Sequence, residues 1–447
     1  MNTAAKIFVS VASYRDTELL PTLENMFSEA EHPQHLHISI CWQDDLNIQP
    51  FINKGMTLVE TFSHADFVGY SFEWQGAAID VIAVNYFNSK GACWARSLAE
   101  SRYSQESYFM QIDSHSRFIT HWDSVMINTL ESLRLQSERP VLSCYPPGYT
   151  FNKAEQEERQ SYTSRVVFAG FNNDKIPKFK PHIFTASAPL RTCFLAGGYI
   201  FADGHFAKNV PNDPEIFFMG EEISMAVRAF THGYDIWSPH ITLLWHYYTR
   251  KDHPKIWGDH SNEAKQKGLV RQAWWEIDKT SKERIKNVIG LSEDDEVPAQ
   301  FNLGNKRTID EYQYRSGIDF KNQYIHPEIA GTEKKTYFTQ LPDNHEQWLA
   351  SLHGYVEKKI RIAHDEINTT APGVVRWHVG VYNGNNQAVM IQQNSTKEFI
   401  AQLKNTDDIH YEFNLVFSSS WSLDNLTLRI CPWHEEDGWG TVLEKPL

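Results

Sequence analysis

Tyr108-Phe109-Met110-Gln111-Ile112-Asp113-Ser114-His115 is the stretch on which the reading of this chain turns. An apolar run that stops on a carboxylate, a spacer and an imidazole reads as a buried strand ending at a sheet's C-terminal edge. Side chains two apart on an extended strand point the same way, so Asp113 and His115 are placed to grip one ion together. A hard divalent cation held there can in turn hold a diphosphate.

The same texture continues on either side. Residues 7–12 and 37–42 read as buried parallel strands, 81–84 as a third, and 19–30 and 92–103 as helices between them. Alternation of this kind gives an α/β domain with a mostly parallel sheet, in which ligands sit beyond the carboxyl ends of the strands. The loops after Ala12, Trp42 and Ile112 all fall at that edge. Further along, 122–135 and 221–231 read as helices, 140–145 and 194–201 as strands, and 264–289 as mostly helical. Gly197-Gly198 marks a place where another backbone or a ligand comes close. From about residue 335 the texture is β-rich, with Asn383-Gly384 as a hairpin signal. The expected division is therefore 1–330 for the α/β domain and 335–447 for a β-rich accessory domain.

Composition narrows the function. The chain has 447 residues and a formal charge of -14, which disfavours a general nucleic-acid or anionic-membrane binder. An acidic protein that handles a diphosphate needs a metal or a few placed cations. Five scattered cysteines, Cys41, Cys93, Cys144, Cys193 and Cys431, fit neither a disulfide framework nor a thiolate zinc site. No run approaches 18 apolar residues, and residues 1–6 lack a cationic-then-apolar leader. A cytoplasmic location is expected.

Four patterns stand in order: Val9-Ser10-Val11-Ala12-Ser13-Tyr14-Arg15-Asp16, Gly91-Ala92-Cys93-Trp94-Ala95-Arg96, Gln111-Ile112-Asp113-Ser114-His115, and Phe218-Met219-Gly220-Glu221-Glu222-Ile223. The last precedes Trp245-His246-Tyr247-Tyr248-Thr249-Arg250. Together they resemble the polypeptide N-acetylglucosaminyltransferases that modify hydroxyproline on a cytoplasmic ubiquitin-ligase subunit, with their bacterial relatives. The mucin-type polypeptide N-acetylgalactosaminyltransferases are a more distant likeness. The nearer resemblance spans roughly residues 5–320 and takes in Asn302–Thr308 and Ser316–Phe320.

That resemblance implies a GT-A type (Rossmann-like) fold, UDP-GlcNAc as donor, Mn2+ (or Mg2+), retention of anomeric configuration, and a hydroxyl acceptor on a protein. A polysaccharide or surface-glycan acceptor is the alternative, and a retired scaffold that only binds glycan or protein is a second. Asp113 and His115 match the metal-binding Asp-x-His, and His246 matches the later histidine ligand. Glu221 matches the acid beside the reacting sugar. Glu222 stands where the mucin-type enzymes have Asn, which leaves the division of labour between the two glutamates open. For the nucleotide sugar the candidates are Ser13, Arg15, Asp45, Arg96, Ser114 and Arg250.

Chemistry agrees with these roles. A departing diphosphate gathers negative charge that a metal and an Arg compensate best in a partly dry cleft. Two imidazoles soften the ligand set and favour manganese over calcium. Each residue also has a plainer role open to it. Asp113 suits a strand-end turn, His246 a core position, Glu221 a helix N-terminus, and Arg96 a pair with Glu100. Trp377, Trp421, Trp433 and Trp439 suit either a sugar platform or a small β core.

Overall fold

The computed structural model describes residues 6–250, 252–292, 296–407 and 409–447. Residues 1–5, part of the stretch read for a leader, lie outside them. The chain divides into two compact units. One runs to Ser316 and takes in Thr336–Leu341, and the other comprises Gly317–Lys335 and Pro342–Leu447.

Ten strands form the sheet of the first unit. They are β1 (Ile7–Tyr14), β2 (Leu36–Asp44), β3 (Thr57–His64), β4 (Phe67–Trp74), β5 (Ala77–Asn85), β6 (Tyr108–Asp113), β7 (Pro140–Ser143), β8 (Leu190–Thr192), β9 (Tyr199–Asp203) and β10 (Asp235–Ser238). Their order is β8-β10-β7-β9-β6-β1-β2-β5-β4-β3. The centre, β6-β1-β2-β5, is parallel, and β9 runs antiparallel between β6 and β7. The carboxyl ends of the four parallel strands therefore share one edge. Helices α1 (Leu19–Glu29), α2 (Ala92–Glu100) and α3 (Trp122–Ser132) follow β1, β5 and β6, while α4 (Glu221–Thr231) leads into β10. The core is the expected one, with Val9, Val11, Ile38, Ile40, Ile79 and Ile112 all buried between the layers.

Several elements differ from their sequence reading. The stretch 264–289 is two helices, Asn262–Gln266 and α5 (Trp274–Val288), because Gly268 turns the chain at φ 72°. The strand read over 194–201 begins only at Tyr199, and that read over 140–145 stops at Ser143. The hairpin of β3 and β4 extends the sheet beyond β5.

The second unit holds two sheets. Strands β11 (Ile318–Asp319), β12 (Tyr324–Ile325), β13 (His353–Ala363), β14 (Val374–Asn383), β15 (Ala388–Ser395), β16 (Leu403–Asp407), β17 (His410–Ser419), β18 (Leu426–His434), β19 (Gly438–Trp439) and β20 (Leu443–Pro446) are all short to medium in length. They assemble as β11-β12-β13-β17-β16 and β15-β14-β18-β19, with β20 beside β18. Trp377, Val379, Phe413, Leu415, Leu428 and Ile430 fill the space between them. The α/β class with a β-rich C-terminal part is thus the architecture of this chain. Among the described residues no helix is long and apolar enough to cross a membrane.

A charged cluster closes the sheet edge opposite the ligand side. His37 on β2 lies between Glu106, 2.5 Å from Nδ1, and Asp80 on β5, 3.2 Å from Nε2. Arg102 and Ser71 also bond to Asp80. Burial pushes the imidazole down, and its bonds to Asp80 and Glu106 outweigh this and lift it to about 9. A histidine raised on folding stabilises fully below its free value near 6.5 and stops doing so as pH climbs through about 9. The melting temperature should therefore fall by several degrees across that window, and His37→Gln should remove the dependence. Melts of both proteins across that range check this, and a flat wild-type profile would overturn it.

Candidate active site

Asp113 ends β6, and the chain turns through Ser114-His115 into a short strand, Ser116–Phe118. That strand pairs antiparallel with Leu244–His246 and sets His246 opposite Ser116. The Tyr247 N–H bonds to the His115 carbonyl, and the His246 N–H to that of Pro147. Two distant segments are thereby locked together, and the candidate ligand atoms of Asp113, His115 and His246 all lie within 4.8 Å of one another. The two imidazoles meet edge to face at 4.5 Å.

Around this trio runs a shell of buried charge. Asp16, after β1, receives the Ser114 hydroxyl at 2.6 Å and His115 Nδ1 at 2.7 Å, with Arg250 Nη2 at 3.0 Å. Burial alone would raise the Asp16 carboxyl, but its bond to His115 and the Arg250 charge hold it below the usual range. Asp113 follows the same pattern. Burial works upward, while the His246 bond at 3.1 Å and the Arg96 charge win and drive it far down. Burial and the neighbouring His115 lower His246.

Arg96 does not pair with Glu100. Its guanidinium reaches Asp113 Oδ1 at 3.0 Å and Glu221 Oε2 at 2.9 Å. One helical turn earlier, the Cys93 thiol donates to the same Glu221 oxygen at 3.1 Å. Gly91 makes this approach possible, because at φ 116° a Cβ would lie 2.4 Å from the Phe217 carbonyl just ahead of α4. Glu222 faces elsewhere. It accepts from the Gly197 N–H at 3.0 Å and from the Tyr145 hydroxyl at 2.5 Å. Burial, reinforced by the Glu221 charge against the Tyr145 bond, pushes Glu222 up to about 7.

A cleft of about 280 Å³ opens beside the trio. Arg96, Asp113, Ser114, His115, His246 and Arg250 line it, along with Asp16, Tyr14 and Trp257. Other sequence candidates lie elsewhere. Ser13 is fully buried, with its side chain away from the cleft, since Ala12, Tyr14 and Asp16 hold that side. Asp45 is exposed and accepts from the Asn47 N–H. Arg15 pairs with Asp259 at 2.9 Å, and Tyr14 bonds to the same carboxylate. Ser114 lines the cleft, yet its hydroxyl serves Asp16. Sequence reasoning missed Asp16, Cys93 and Tyr145. Local spacing carried no signal for them, and Asp16 in particular follows the end of β1 and a turn at Arg15, φ 45°.

The donor set can hold a divalent ion. It offers one carboxylate and two imidazoles, with His115 backed by a carboxylate through its other nitrogen, the usual second layer of a metal-bound histidine. The His246 Nδ1 is buried with no partner among the described residues.

The glycosyltransferase (GlcNAc) family matches residues 6–77 and 53–322. The chain belongs to that family. It is a glycosyltransferase by family, and its first unit is an α/β domain whose sheet has a parallel centre. No curated protein matches it. Among solved structures it is similar to GalNAc-T7 with UDP, GalNAc and Mn2+, at 12% identity and TM-score 0.43, covering 69% of this chain. The chain spans only 54% of the length of that protein. S. aureus TarS is similar at 11% identity and TM-score 0.34, over 99% of this chain and 77% of that one.

Two predictions follow the geometry. A Cβ on Gly197 would lie 2.2 Å from Glu221 Oε1, a carboxylate pinned by Arg96 and Cys93. Gly197→Ala should lower the melting temperature by several degrees, because a pinned and buried carboxylate must shift, and the folded protein should lose at least ~10-fold in turnover, as expected when a positioned group is displaced. Unchanged turnover would mean that Glu221 is not positioned for the reaction. Separately, the pH–rate profile should bend near 7, and Glu222→Gln should abolish that bend.

Proposed function

We propose that the first unit transfers GlcNAc from UDP-GlcNAc to a hydroxyl on a protein or glycan acceptor, with retention of configuration and with a divalent ion, Mn2+ or Mg2+. Catalysis is assigned to the first unit and an accessory role to the second, which takes in Gly317–Lys335 and so moves the boundary expected at 330 back to Ser316. The observation that carries this reading is the convergence of Asp113, His115 and His246 on one point of a cleft, beside Arg96 and Glu221.

When bound, the ion supplies positive charge to the diphosphate as it leaves. The chain's own groups do the rest. Asp16 fixes the ring orientation of His115. Arg250, at the cleft wall, adds a second cation for phosphate oxygens. Arg96 and Cys93 hold Glu221 Oε2, and Oε1, which has no hydrogen-bond partner among the described residues, is the oxygen assigned to the anomeric centre or the acceptor hydroxyl. Glu222 holds the Gly197 peptide and the Tyr145 hydroxyl in place.

In the proposed step the bond from the anomeric carbon to the diphosphate breaks. The acceptor oxygen then bonds to that carbon from the same face, and the leaving phosphate oxygen takes the acceptor's proton. No sugar–enzyme bond is formed. UDP release from UDP-GlcNAc should require Mn2+ or Mg2+. It should fall at least ~100-fold in Asp113→Asn and His246→Ala, with Mn2+ affinity measured by calorimetry falling in parallel. Absence of turnover and of nucleotide binding with UDP-GlcNAc, UDP-GalNAc and UDP-glucose would leave a binding module instead. Intact-mass analysis during turnover should find no glycosylated Glu221, and an adduct there would replace the same-face step with a double displacement.

A further inference from the structure

Register assigns the faces of the second sheet in the C-terminal unit. Arg376 stands opposite Trp433, His378 opposite Cys431, and Tyr382 opposite Thr427 across β14 and β18. Opposed residues share a face. The alternate residues Trp377, Val379 and Val381 are in the core, so Arg376, His378, Tyr382 and Trp433 look outward. Trp439 joins them, opposite Trp433 on β19.

These side chains build a wall and a floor. His378 Nε2 and the Tyr382 hydroxyl are 2.9 Å apart, and both rings lie down over Gly380, where a Cβ would come within 2.7 Å of either. Trp439 stands across them, at 81° to His378 and 79° to Trp433, and is 52% exposed. Arg376 covers Trp433 at 4.8 Å and has no carboxylate partner among the described residues.

We infer that this face binds a neutral pyranose glycan. A pyranose presents apolar C–H groups on its flat face and hydroxyls around its rim. It therefore needs an aromatic wall and hydrogen-bonding groups roughly at right angles to it, and Trp439 over His378, Tyr382 and Arg376 provides both. An apolar protein partner would leave the Arg376 guanidinium without a polar partner. Charge decides against a polyanion, because the turn leading to Trp439 exposes Glu435, Glu436 and Asp437 beside a single unpaired guanidinium. The inference rests on the second unit alone and does not depend on the transfer reaction.

The test is retention of the full chain on an array of neutral glycans (glucose, mannose, galactose and N-acetylglucosamine chains) and acidic ones (uronate and sulfated chains). Binding to neutral chains is expected, with a tenfold or greater loss in Trp439→Ala and partial recovery in Trp439→Phe. UDP-GlcNAc hydrolysis and the melting temperature should not change in either variant. Tyr382→Phe, which keeps the ring and removes the hydroxyl, should weaken binding severalfold. Retention of acidic chains only, of no neutral chain, or equally by Trp439→Ala would overturn the inference.

Discussion

One buried guanidinium holds the site of this transferase together. Arg96, 3% exposed, lies between Asp113 at the end of β6 and Glu221 at the start of α4. Neither acid could stay ionised there alone, because a carboxylate out of water must be paired or take up a proton. The planar fork lets one cation serve both. On the cleft wall the carboxylates of Asp16 and Asp113 face the two guanidiniums of Arg96 and Arg250. A divalent ion held beside them would add the positive charge that a diphosphate needs. A site balanced in this way admits a cation readily and then attracts a diphosphate, without any large basic surface on an acidic chain.

The two adjacent glutamates show how environment divides labour. Glu221 meets a cation and a thiol, so its charge is supported. Glu222 meets only a hydroxyl and a peptide N–H, and its carboxyl sits near neutrality. Between them lies the Gly197 peptide, gripped from both ends. Glu222 takes its N–H, and Gln111 Nε2 donates to its carbonyl at 2.6 Å. Gln111 is in turn held by Asn212 at 2.7 Å, and Asn212 by Glu100. This buried chain of side-chain amides ties the floor of the site to β6 and α2, with Asn212 Nδ2 shared between Glu100 and Gln111.

Strand alternation made Asp113 and His115 readable in the sequence, and they do come together. The same rule applied to β1 would have turned Ser13 away from the cleft, but the strand ends at Tyr14, and Asp16 reaches the cleft through the turn at Arg15. His246 was beyond local pattern, since it reaches the site only because Leu244–His246 pairs with Ser116–Phe118, and it entered through the order of motifs. Arg15 and Asp45 failed for a different reason. Each lies at the ligand edge, but Arg15 turns at φ 45° toward Asp259, and Asp45 caps its own loop. Proximity to the right edge does not set the direction of a side chain. Cys93 had no signal, because its partner lies 128 residues away.

Tryptophan in the second unit carries the same lesson in another form. Counted in the sequence, Trp377, Trp433 and Trp439 are equivalent. Pairing separates them, because β14 buries every second residue against the opposite sheet. Trp377 stacks on Phe399 in the core, whereas Arg376 and His378, its neighbours on either side, belong to the outer face with Trp433 and Trp439. A one-residue slip between β14 and β18 would exchange the two sets, giving an arginine and a histidine to the core and a tryptophan to water. The cost of burying the Arg376 cation and a polar imidazole fixes the register. The outer aromatic face is thus a consequence of how the core is made, and composition alone could not have predicted it.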